Sequence, residues 1–177
     1  MASDLARREL EGQLTDWLPG FGSLYCRLMG KRGRFADALP FLERRLAELP
    51  AYAERPEFLM RYDAARMAAN TGTPELRVKA LAWLTADLAD WRELQKRELN
   101  QNNFETYCRI VELDGRGPAA GLGVVRDPQK LALLAADERA AWDAYWIEFR
   151  KMKHDLIPKK VEPQTPMREV SPPRADK

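Results

Sequence analysis

The chain has 177 residues, of which 32% are charged and 45% hydrophobic, and its 29 basic and 27 acidic side chains leave a formal charge of +2. This length and apolar share suffice for one folded domain with a core, and the near balance of charge demands no polyanionic partner. No uninterrupted apolar run approaches the roughly 18 residues of a membrane span, and the opening MASDLARREL lacks the apolar core of a signal peptide. A cytoplasmic protein without a membrane partner is therefore expected. Ala, Leu, Arg and Glu dominate while Val and Ile are scarce, which favours helix over sheet. Cys26 and Cys108 are read as buried free thiols of a reducing compartment. With His154 the only histidine, the usual zinc ligand set is hard to assemble.

In chain order, Ser3 to Trp17 predicts a first helix with Leu5, Leu10, Leu14 and Trp17 inward, broken at Pro19-Gly20. A short second helix runs from Phe21 to Met29 into a basic turn, Gly30-Lys31-Arg32-Gly33-Arg34. The third spans Phe35 to Leu49: Phe35, Ala38, Leu42, Leu46 and Leu49 recur at three and four residues and share one face. Pro50 is expected to end it, and Pro40 to sit early in its regular part. A fourth helix is expected from Glu57 to Asn70. A fifth and longest runs from Pro74 to about Leu99, with Thr73 as cap and Val78, Leu81, Leu84, Leu88 and Trp91 as its packed stripe. A sixth covers Phe104 to Leu113, followed by the glycine-rich loop from Asp114 to Gly123. Asp127 caps the next helical turn, and Asp137 is expected to cap a final helix through Lys153 that carries Trp142, Tyr145, Trp146 and Phe149. The stretch from Pro158 to Lys177 is Pro-rich and charged and predicts a disordered tail, leaving 1–157 as the domain.

The stretch GKRGRFADALPFLERRLAELP resembles the tetratricopeptide repeat. Gly33 stands at the repeat's turn, Phe35 at the aromatic position after it and Ala38 at the small position where paired helices press together. Leu42 and Leu46 lie on the apolar face, and Pro50 falls at the closing proline. The upstream half departs from the pattern: Tyr25, Cys26 and Met29 replace Leu, Gly and Tyr, and Gly22 stands at the early Trp position. The resemblance implies antiparallel helical hairpins stacked as a short array, with the tryptophan-rich C-terminal helix capping the stack.

A second resemblance covers roughly Gly33 to Phe149. Tyr62-Asp63-Ala64-Ala65, then Arg77 to Leu88 closing at Trp91, then Leu122 to Pro128 with Leu131, Leu134, Asp137-Glu138-Arg139, Trp142 and Trp146 follow in order. These pieces resemble segments of planctomycete proteins that carry tetratricopeptide repeats, often behind a Ser/Thr kinase domain. The proline before the family's Glu-Arg element is Ala135 or Ala136 here, and the family's usual spacer piece is replaced by Glu112 to Gly117. The resemblance implies a helical scaffold linked to bacterial signalling and brings no catalytic residues; no kinase signature is present in this sequence.

The residues themselves offer little chemistry. Gly115-Arg116-Gly117 and Gly121-Leu122-Gly123 lack the lysine and Ser/Thr of a phosphate loop. His154 lies between Lys153 and Asp155 with no serine or cysteine nearby and is read as solvent-facing. The acid pairs Asp87/Asp90 and Asp137/Glu138 are read as exposed helix faces. The tryptophans Trp83, Trp91, Trp142 and Trp146 are expected to meet at one core seam. No catalytic residue, metal or cofactor is expected. The leading expectation is a non-catalytic module that binds a peptide or helix of a partner protein, with Arg34, Arg45, Arg61 and Arg66 as contacts. The alternative is a nucleic-acid-associated subunit using the basic patch Lys31, Arg32, Arg34 and Arg44, whose binding would fall steeply with salt.

Overall fold

A computed structural model of the chain describes residues 28–96, 101–114 and 121–156. These residues form helices α1 (Phe35–Glu48), α2 (Pro50–Ala53), α3 (Met60–Asn70), α4 (Pro74–Lys96), α5 (Gln101–Asp114), α6 (Pro128–Leu131) and α7 (Ala136–Leu156). Two 3-10 turns, Pro56–Phe58 and Leu122–Val125, complete them, and there is no strand among the described residues. The expected all-α class holds. The expected first helix, most of the second and the tail lie outside the described residues, as do Cys26 and the centre of the glycine-rich loop.

Residues 28–31 end a helical turn that closes at Gly33. The Gly33 amide donates to the Gly30 carbonyl at 3.0 Å, and the Arg34 amide donates to the Met29 carbonyl at 2.9 Å. This crossed pair is a Schellman closure, and it needs a left-handed residue at its corner. Gly33 supplies one at φ +66° with open space around its Cα. The sequence then turns directly into α1, which buries Ala38, Leu39, Phe41 and Leu42.

Two boundaries differ from expectation near the prolines. Pro50 does not end the fold's helical path: α1 stops at Glu48, and Pro50 opens α2 as its first residue. A proline lacks only an N–H that a first helical position leaves unused. Pro40 sits inside α1, which nevertheless begins at Phe35. The expected fourth helix is split. Pro56–Phe58 form a 3-10 turn, and Leu59 at φ +60° breaks it from α3. The final helix begins at Ala136, so Asp137 lies in its first turn instead of capping it.

Around α3 the core is assembled. Tyr62 through Ala69 are all buried, and α3 packs mainly on α4 and on α1. Its alanines Ala64, Ala65, Ala68 and Ala69 carry no side chain beyond Cβ, so helices can close on it from different sides. The short turn at Thr71–Thr73 and the contact of Arg61 with Asp90 make α3 and α4 an antiparallel hairpin. Arg77 pairs with Glu138 and Arg92 with Glu148, in the same order along both helices, so α7 runs parallel to α4.

Three of the four tryptophans join the expected core. Trp91 meets Phe104 at 5.3 Å and Tyr107 at 5.5 Å between ring centroids, Tyr107 meets Phe149, and Phe149 meets Trp146. Trp142 joins through Tyr145. Trp146 also donates its indole N–H to the Val125 carbonyl at 2.7 Å, which pins α7 to the second 3-10 turn. Trp83 is half-buried, packed against the edge of the core beneath the Lys79 ammonium. Val78, expected in the packed stripe, is 62% exposed.

Candidate functional site

The described residues offer three polar constellations with defined geometry. The first lies where α3, α4, α5 and α7 meet. Asp87 follows Leu84 by three residues and precedes Leu88 and Trp91 by one and four, so helical spacing carries it inward with them. Its exposure is 0%, which corrects the reading of Asp87/Asp90 as an exposed acid pair. Arg61 on α3 hydrogen-bonds the Asp90 carboxylate, and its Nη1 lies 3.6 Å from Asp87 Oδ1, within ion-pair range but too far for a hydrogen bond.

Burial raises the Asp87 carboxyl well above the ordinary carboxylate range. The Arg61 guanidinium opposes that rise, and the Asp90 charge reinforces it. The buried Tyr107 and Tyr145 phenols are raised as well, first by loss of solvent; Tyr145 and then the Asp87 charge push Tyr107 up further, while for Tyr145 the Asp87 charge adds to the rise and Tyr107 works against it. The arrangement therefore favours a protonated Asp87 beside two neutral tyrosines, with Arg61 and Asp90 as the ion pair that reaches toward solvent. Chemically this is a clasp of Arg61 on Asp90 over a buried polar cluster, in which the Asp87 carboxylate oxygens and the Tyr107 and Tyr145 hydroxyls make no hydrogen bond among the described residues. Its one strongly perturbed acid is sealed from any substrate in solution.

The second constellation joins α4 to α7. Arg77 donates through Nε and Nη2 to both oxygens of Glu138, the latter at 3.0 Å, and through Nη1 to the Gly72 carbonyl at 2.7 Å. Both side chains are about 10% exposed. The Glu138 hydrogen bonds raise Arg77 further, while burial works against them. This fork fixes the start of α4 on the start of α7. Glu138 is thus an internal partner, unlike the exposed Asp137 beside it.

The third is the basic turn. Lys31, Arg32, Arg34 and Arg44 are all exposed. Arg34 Nε donates to Asp37 at 2.6 Å, and Arg44 lies 4.0 Å from Glu48. Acidic neighbours on α1 thus dilute the patch. Of the four arginines expected as partner contacts, only Arg34 is exposed. Arg45 and Arg66 are buried at 6% and 3%, so neither is presented to a partner. Arg66 donates to the equally buried Asp63 at 3.0 Å one helical turn away. Arg61 is engaged in the clasp. The repeat positions Ala38 and Leu42 are buried, Phe35 and Leu46 are half-buried, and Gly33 forms the turn.

His154 is exposed beside Asp155, and Cys108 is buried. No group of three or more metal-ligating side chains gathers among the described residues, and no described helix is long and apolar enough to cross a membrane. The clasp and the Arg77 fork were not anticipated from the sequence. The available signal was register: Asp87 and Arg77 each fall on the buried arc of α4, with Leu84, Leu88 and Trp91.

No family model, curated protein or solved structure matches this chain.

Proposed function

We propose that the chain is a non-catalytic interaction module, a short array of antiparallel helical hairpins of tetratricopeptide-like kind that binds a peptide or helix of a partner protein. One observation carries this reading: every titratable group with a perturbed pKa among the described residues is buried in the packing between helices. Asp87, Tyr107 and Tyr145 are sealed where α4, α5 and α7 pack, and Arg77 ties α4 to α7, so they do not meet at an open cleft. Catalytic acids and bases need reach to a substrate. A scaffold needs rigid packing beneath an open surface, and helical arrays present such surfaces along their length.

The dilution of the basic turn supports a protein partner over nucleic acid. Arg34 and Arg44 face Asp37 and Glu48, whereas a phosphate-tracking groove uses uncompensated cations with stacking aromatics. The test is affinity capture from the source lysate with the full chain, at low and at high salt. One protein retained through high salt is the expected result. Nucleic acid that is released as salt rises, and that is lost in a Lys31→Glu, Arg32→Glu, Arg34→Glu variant, would replace this reading with the alternative.

A further inference from the structure

Helix α4 carries a second stripe that the core does not use. Val78, Ala82, Thr85 and Ala89 recur at four, three and four residues, and all four are exposed. Arg92 and Lys96 continue the same spacing at the C-terminal end, and Glu75 precedes it at the other. Lys79 is not on this stripe; it turns away to Glu43 of α1 at 2.7 Å. On the adjoining edge of α7, Asp137, Ala141, Ala144, Glu148 and Lys151 repeat at four, three, four and three, all exposed. Ile147 lies beside them, 56% exposed.

The two stripes adjoin because α4 and α7 run parallel and are strapped by Arg77–Glu138 at one end and Arg92–Glu148 at the other. Between those straps neither stripe bears a charge, in a chain that is 32% charged. Spacing of three and four residues is what a helix needs to seat neighbouring helices along a shallow crossing angle. Side chains as small as Ala and Thr let the axes approach closely. From Val78 to Ala89 the uncharged strip is about 16 Å long, or three helical turns.

The ends of the strip differ in sign. Glu75 and Asp137 stand at one end; at the other stand Lys151 and Lys96, the latter paired with Glu93 at 2.6 Å, all exposed. Such a face is complementary to itself when turned end for end, because a twofold axis at its centre sets the acidic end of each copy against the basic end of the other. Two helices side by side over about 30 Å present roughly 600 Å² per copy, close to the ~800 Å² per partner of an ordinary specific interface.

We infer that the outward α4–α7 face, centred on Thr85 and Ala144, is the interface of a twofold homodimer in which Asp137 of each copy meets Lys151 of the other. The inference is independent of the heterologous partner proposed above. Its charge contacts lie at the rim, so they set alignment and salt dependence, while the uncharged strip supplies the buried area.

The test is sedimentation equilibrium of the full chain over a wide concentration range. A reversible monomer–dimer equilibrium is expected. Ala144→Glu, an exposed position that the monomer fold does not need, places a carboxylate in the centre and is expected to weaken dimerisation a hundredfold or more, roughly the cost of burying one unpaired charge. Asp137→Lys and Lys151→Glu are each expected to weaken it about tenfold, and the double reversal to restore it. A wild-type chain that stays monomeric throughout overturns the inference. So does a dimer indifferent to Ala144→Glu, or a double reversal no better than the single ones. A monomeric chain that still captures a protein from lysate would leave the proposed function standing and remove only the dimer.

Discussion

The inner and outer sides of α4 invert the usual distribution of charge. The inner side holds Arg77 and Asp87 among Leu84, Leu88 and Trp91, all buried. The outer side holds Val78, Ala82, Thr85 and Ala89, all exposed and none charged. Burying charge is costly unless it is paired or neutralised. The inner side meets that condition twice, by the Arg77–Glu138 fork and by burial that favours a protonated Asp87. The outer side needs no such device. The difference teaches that on a helix apolar on two sides, the character of the residues alone does not say which side faces in.

That contrast can be tested most forcefully by truncation. Leu84→Ala removes a fully buried side chain and is expected to cost about 2–5 kcal/mol in chemical denaturation. Arg77→Met comes next. It leaves the Glu138 carboxylate nearly buried and unpaired, and a loss of about 3 kcal/mol is expected at neutral pH.

Asp87→Asn sharpens the comparison through pH. The folded-state pKa of Asp87 lies above its unfolded value. The stability it contributes is therefore complete below the ordinary carboxylate range and falls as pH rises through the folded pKa. Asparagine is uncharged and similar in shape, so this component of the fall vanishes. Denaturation curves collected from acid to neutral pH should show the variant gaining on the parent as pH rises. A variant that loses ground as pH rises would mean that Asp87 is ionised and held by Arg61.

Gly33→Ala is expected to cost about 1 kcal/mol by forcing a Cβ into the left-handed region, although nothing else crowds that site. Val78→Ala ends the series. A shift within about 0.5 kcal/mol in the monomer is expected, because little of that side chain leaves water on folding. A loss as large as that of Leu84→Ala would place Val78 in a core, and the contrast between the two sides would fail.

Much of the fold was legible in the sequence. The stripes of α1 and α7 are narrow, so Ala38 and Leu42 on one, and Trp142, Trp146 and Phe149 on the other, came out buried. The Gly33 turn and the Asp127 cap, whose side chain accepts from the Gln129 amide at 2.9 Å, were equally plain because capping chemistry is local. The site was less legible. Arg45, Arg66 and Asp87 are charged residues that ordinarily face water. Asp87 lies within ion-pair range of Arg61, 26 residues away along the chain. Local spacing does not reveal such pairings. Leu59 was hidden for another reason: a left-handed leucine has no compositional mark.

The parallel course of α4 and α7 has a kinetic consequence. Antiparallel neighbours can zip from a short turn, and Arg61 finds Asp90 across a separation of 29 residues. Arg77 must wait for Glu138, 61 residues away, until α5 and the second 3-10 turn have brought the chain back. Loop closure of that span comes late when a local hairpin is available first. Substitutions at the α4–α7 seam are thus expected to accelerate unfolding while leaving the refolding rate nearly untouched, and those within the α3–α4 hairpin to slow refolding. The last helix to arrive would be the first to leave.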